Sequence, residues 1–142
     1  DQEMKTKSAF SLIELILVVA TVLTLGVLSS VFYSRFLNQN SVANVSDQFA
    51  SQLRKAQTYS MAGKQNTSWG VKYATGTITL FASSSNAFDE TFSVNTNIAV
   101  GGFSQVIFAK VTGIPDSPQT ITISGGGNTK TVFVNSQGTV IR

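Results

Sequence analysis

Three short stretches hold residue types that could do chemistry. Asp89-Glu90 is an adjacent pair of carboxylates, the combination that shares acid and base work in many active sites. Neighbouring side chains of an extended chain point apart, and neither a histidine nor a third acid accompanies them, so the pair reads as solvated loop charge. Gly125-Gly126-Gly127-Asn128 could cradle a phosphate, but it joins two strand-like runs and lacks the following helix and the Lys-Ser/Thr pair of a phosphate loop. A tight turn explains it. The third is Glu14, one carboxylate at the start of an apolar run.

The chain has no cysteine and no histidine. Disulfides, thiolate nucleophiles, imidazole catalysis and the usual zinc ligands are excluded together. The expectation is a protein that is not an enzyme, with no catalytic residue, no metal and no cofactor. Trp69, a lone indole at an inward strand position, reads as core filler.

The elements around these residues follow from pattern. Between Glu14 and Arg35 lie 20 uncharged residues, Leu15 to Ser34, dominated by Leu, Ile and Val with no proline. At 1.5 Å per residue such a helix spans roughly 30 Å, the thickness of a bilayer core. The run is too long for the apolar core of a secretory signal peptide, which leaves a signal anchor, with Glu14 tolerated at its edge, or a segment in which Glu14 has a task. Lys5 and Lys7 precede the run and put the N-terminus on the cytoplasmic side, although Arg35 blunts the asymmetry.

Val42, Val45, Phe49, Leu53 and Ala56 recur at helical spacing after Phe36, with Asp47, Gln48, Ser51, Arg54 and Lys55 mostly opposite. One long helix from about Phe10 to about Met61 is expected, stopped at Gly63. Beyond Gln65 the period becomes alternating. Trp69, Val71 and Tyr73 fall on one face of a strand, Thr75-Gly76 turns, and Ile78 and Leu80 continue in a hairpin partner. Residues 82–89 read as a loop, 90–100 as one or two short strands, 104–111 as another strand and 113–118 as a loop. The closing segment reads as a three-strand meander with Ile121, Ile123, Val132, Val134 and Val140 on its buried face. The fold class expected is α+β, a long N-terminal helix packed on an antiparallel β-sheet head.

The residues Lys5-Thr6-Lys7-Ser8-Ala9 followed by Phe10-Ser11-Leu12-Ile13-Glu14-Leu15 closely resemble the leader and first residues of the type IV pilin and type II secretion pseudopilin superfamily. Ala9 stands where that family nearly always has Gly. The stretch from Gln119 to Ile141, following Val106 to Gly113, is similar to the C-terminal pattern of H-type minor pseudopilins and FimT-like minor pilins, the GspH/FimT domain. The resemblance implies a prepilin leader over 1–9, a cut between Ala9 and Phe10 by a prepilin peptidase, and methylation of the new amine. It implies a transmembrane and assembly helix over 10–36 and a pilin-like head over 37–142, with an amphipathic helix at 37–62 and a β-rich part at 66–142. Phe10, Leu12, Ile13, Glu14 and Leu15 become assembly contacts, with Glu14 near the cleaved amine of a neighbouring subunit. Opposite charges about 4 Å apart in a medium of effective dielectric near 20 attract by roughly 4 kcal/mol, enough to set the register of an incoming helix.

The partners implied are other pilin or pseudopilin subunits, the peptidase, an inner-membrane assembly platform and, before assembly, membrane lipid. The location implied is the bacterial inner membrane, single-pass with a cytoplasmic N-terminus, the head being periplasmic or extracellular in the filament. DNA capture, known in some FimT-like pilins, is the alternative. It would use basic residues such as Arg54, Lys55, Lys130 and Arg142 against phosphates, although seven scattered cations against four acids in the head do not form a readable patch.

Overall fold

The computed structural model describes residues 10–142. The expected leader, with Lys5, Lys7 and Ala9, lies outside the described residues. The chain divides into two compact units, one ending at Phe36 and the other spanning Leu37–Arg142.

Helix α1 (Leu12–Met61) begins where a local signal starts it. The Ser11 side chain accepts a hydrogen bond from the Glu14 backbone N–H at 3.3 Å, satisfying one of the donors that a helix leaves unpaired in its first turn. Ser11-Leu12-Ile13-Glu14 thus has the S-x-x-E spacing of a capping box. The far end is closed by Gly63, whose φ of 60° is the left-handed conformation expected there.

In the second unit α1 buries Val42, Val45, Phe49, Leu53 and Ala56, the stripe read from the sequence, and adds Ser46, Gln52 and Ser60 to it. Eight strands complete this unit: β1 (Trp69–Ala74), β2 (Thr77–Ala82), β3 (Ser85–Ser93), β4 (Ala99–Gly101), β5 (Gln105–Phe108), β6 (Gln119–Gly125), β7 (Asn128–Val134) and β8 (Val140–Ile141). They form two antiparallel four-stranded sheets, in the orders β3-β2-β1-β5 and β4-β6-β7-β8. The fold is therefore α+β as expected. Its strands are shared between two sheets because β5 returns to pair with β1, while β4 pairs forward with β6. One apolar cluster joins the helix stripe to both sheets, with Val71, Ile78, Leu80, Val106 and Phe108 from the first and Ile121, Ile123, Val132, Val134 and Val140 from the second. All five residues expected on the meander's inner face are buried.

Thr75 and Gly76 both have positive φ, which fits the primed turn that matches the twist of β1 and β2. The segment read as a loop at 82–89 is a correction: from Ser85 onward it is strand β3, paired with β2. Its first four residues are exposed on a sheet edge, and such a strand gives no alternating apolar signal to read.

Gly70 sets the spacing of the first sheet. A β-carbon there would sit 2.5 Å from the Val106 carbonyl oxygen on β5 and 2.8 Å from the Phe81 ring on β2. The backbone oxygen cannot yield without moving the ladder. Gly70→Ala is expected to cost about 1–3 kcal/mol, the usual range for overpacking, read as a lower urea midpoint with an unchanged slope.

Candidate functional site

The first candidate is the helix segment itself. Phe10, Leu12, Ile13 and Leu15, the residues read as assembly contacts, are 72%, 77%, 74% and 58% exposed. Leu17, Leu23, Leu25 and Phe32 further along are exposed as well. An exposed apolar surface this long is unfavourable in water. Glu14 is exposed among them, and its carboxylate has no ion-pair partner among the described residues.

The polar side chains of this segment are arranged for an apolar surrounding. Thr21 donates to the Val18 carbonyl at 2.8 Å, Thr24 to the Thr21 and Ala20 carbonyls at 2.9 and 3.1 Å, and Ser29 to the Leu25 carbonyl at 2.8 Å. A hydroxyl already bonded to its own helix costs little in hydrocarbon. At the far end Tyr33, with Phe32 and Phe36, flanks Arg35, the grouping that favours a membrane–water boundary. Among the described residues one helix, near the N-terminus, is thus long and apolar enough to cross a membrane.

The head's charged residues divide into two groups. Lys55 on α1 donates to Glu90 on β3 at 2.5 Å, and Lys72 on β1 lies 3.5 Å from Asp89. This corrects the reading of Asp89-Glu90 as loop charge: each acid sits on a strand and has its own lysine on an opposite face. Among the described residues no group of three His, Cys, Asp or Glu could hold a metal ion.

The hydrogen bond to Glu90, with its charge, holds the Lys55 ammonium above the usual lysine pKa, against a smaller lowering by burial. A raised lysine pKa in the folded state means the pair's contribution is complete below the unfolded value and is lost as pH rises through the folded one. The pair is partly exposed, so the contribution is at most about 1 kcal/mol. Wild type and Lys55→Gln should differ in urea stability at pH 8, and the difference should begin to shrink near about pH 10.4, where the unfolded lysine deprotonates, and vanish once the folded lysine has deprotonated as well.

Arg54 donates to the Val140 carbonyl on β8 at 3.2 Å. Arg142, two residues further on, is ion-paired with Asp47 of α1. Lys130 joins Arg142 in the lining of a cavity completed by Ala43, Ser46 and Asp47. Of the four cations singled out in the sequence, Lys130 and Arg142 therefore share a site, Arg54 meets the same edge strand, and Lys55 belongs to the first sheet. Sequence reasoning missed Ser46, whose signal was its place four residues from Val42 on the buried stripe.

Two other candidates are structural. Trp69 is 1% exposed, donates its indole N–H to the Lys64 carbonyl at 2.9 Å and packs edge-on against Tyr59. It offers no face for stacking a ligand. Gly126 and Gly127, both with positive φ, form the β6–β7 turn. No protein family model, no curated protein and no solved structure matches this chain.

Proposed function

We propose that this chain is a structural subunit, a minor pilin or pseudopilin of the H-type kind, in a type IV pilus or type II secretion filament. The observation that carries the reading is the Glu14 carboxylate, without an ion-pair partner among the described residues, near the start of a predominantly apolar, exposed helix segment, in a chain whose second unit forms a complete core of its own. A membrane anchor needs the apolar surface but not the acid. An assembly helix needs both, because lipid and neighbouring copies are equally good partners for leucine, whereas only a cation satisfies the acid.

In this reading a prepilin peptidase cuts before Phe10. The new amine of one subunit then meets Glu14 of another, and the helix passes from the inner membrane, with its N-terminus cytoplasmic, into the filament through the assembly platform. Phe10, Leu12, Ile13 and Leu15 pack against other copies, and the two sheets form the outward head. DNA capture has less support, since Lys55 is tied to Glu90, Arg142 to Asp47 and Arg54 to a backbone carbonyl.

N-terminal sequencing and intact mass, in a host with its prepilin peptidase and in the same host lacking it, test the proposal. A peptidase-dependent start at Phe10 supports it, and an uncut chain in both hosts rejects it.

A further inference from the structure

The cavity between α1 and the second sheet has the composition of a binding site. On α1, Ala43, Ser46 and Asp47 stand at positions i, i+3 and i+4 and so share a face. On β7, Lys130 alternates in phase with the buried Val132 and Val134, which brings it to the side of the sheet that meets the helix. Arg142 lies just past the end of the edge strand β8, two residues after the buried Val140. The five residues line a half-open cleft of about 350 Å³, its charged side chains reaching solvent, at the small end for ligand sites and enough for one small acid or one acidic side chain.

The charges and donors do not balance within the chain. Among these side chains Asp47 neutralises Arg142, and the exposed Lys130 has no hydrogen-bond or ion-pair partner among the described residues, leaving one net positive side-chain charge. The Arg142 guanidinium has five N–H donors and gives one to Asp47. The Ser46 hydroxyl is buried and has no partner. Thr21, Thr24, Ser29, Ser41 and Thr58 on the same helix all donate to a carbonyl one turn back, and Ser46 does not. A buried hydroxyl left in this way costs stability unless something accepts its proton.

We propose that this cavity binds a single carboxylate, held by Lys130, Arg142 and the Ser46 hydroxyl. One unit of negative charge matches the one unit of excess positive charge, and the two oxygens of a carboxylate can accept from all three donors. A dianionic phosphate would leave negative charge uncompensated beside Asp47. The carboxylate comes either from a free small acid or from a Glu or Asp side chain of another protein chain. The inference is independent of the filament reading, because the site lies wholly within the unit Leu37–Arg142.

The test uses the full chain, ¹⁵N-labelled in uncharged detergent micelles at constant ionic strength. It is titrated with acetate, with inorganic phosphate at pH 8, and with a capped tripeptide carrying one glutamate, while the amide signals of Ser46, Asp47 and Lys130 are followed. Saturable shifts at these amides with acetate or the tripeptide are expected, weakened about tenfold by Lys130→Gln and by Ser46→Ala. The melting temperature of Ser46→Ala should equal or exceed that of the wild type, which separates loss of a ligand donor from loss of the fold. Saturation by acetate but not the tripeptide identifies a free acid, and saturation by the tripeptide identifies a protein side chain. Linear shifts with every titrant, or phosphate binding tenfold more tightly than acetate, would overturn the proposal.

Discussion

Glu14→Leu is expected to leave the protein cut and inserted in the membrane while removing it from filaments, lowering its amount in the sheared surface fraction at least tenfold. Leucine suits a helix and hydrocarbon better than glutamate does, so neither helix formation nor insertion suffers. The Ser11 cap also survives, because it is accepted from the backbone N–H of residue 14 and not from the side chain. What would disappear, on the proposed function, is the attraction between the carboxylate and a neighbour's amine, roughly 4 kcal/mol at 4 Å and effective dielectric 20, which is several hundredfold in an equilibrium constant. Glu14→Asp retains the charge on a shorter arm and should recover part of the incorporation. Immunoblots of sheared and membrane fractions from the same cells give the ratio. Equal ratios for Glu14→Leu and wild type would make the acid a tolerated edge charge.

The second large effect belongs to the head. Phe49→Ala is expected to destabilise the unit Leu37–Arg142 by about 3–5 kcal/mol, a large part of the 5–15 kcal/mol typical of a whole domain. Phe49 is fully buried where the helix stripe meets the sheets, with Tyr73 at 6.0 Å and Phe103 at 5.8 Å in an edge-to-face pair. Truncation removes the ring and leaves a cavity that the surrounding backbone fills only in part. Phe49→Leu, which keeps most of the volume, should recover more than half of the loss. Urea unfolding followed by tryptophan fluorescence is suited to this because Trp69, the chain's single tryptophan, lies in the same core. Membrane insertion of Phe49→Ala should be unchanged, since the residue lies outside the exposed apolar segment.

The sequence was legible wherever one period ran unbroken. From Leu12 to Met61 no proline intervenes, and the stripe from Val42 to Ala56 keeps its spacing, so the helix and its buried face could both be read. The meander of β6, β7 and β8 was legible because its turns carry glycines and its inner residues alternate. Strand β3 was hidden because an edge strand needs no apolar alternation and Ser85 and Asn86 have low strand propensity. The division into two sheets was hidden for another reason. Pairing of β1 with β5 joins Trp69 to Phe108, 39 residues apart, and local pattern carries no trace of such a choice.

The charged residues divide the same way. Glu14 stands out because a lone acid contrasts with the leucines around it, and that contrast masks its place in the S-x-x-E start signal. The cavity of Ser46, Asp47, Lys130 and Arg142 brings α1 together with a C-terminal hairpin more than 80 residues away in the chain. Lys130 and Arg142 were visible only as two cations among seven in the head. Lys55 and Arg54, adjacent in sequence, separate on the helix surface and serve different sheets through Glu90 and the Val140 carbonyl.

The central claim is that the exposed N-terminal helix is a surface for copies of itself. The chain has no cysteine, so a single introduced thiol reports on one position without background. Leu23→Cys lies in the apolar segment at a position 64% exposed. The measurement is oxidative cross-linking of this variant in cells that make the filament, comparing the sheared fraction with and without the prepilin peptidase. The account predicts a ladder of dimers and higher species that requires the peptidase and disappears in the Glu14→Leu background. A monomer alone in cells whose peptidase has cut the chain at Phe10 would contradict it.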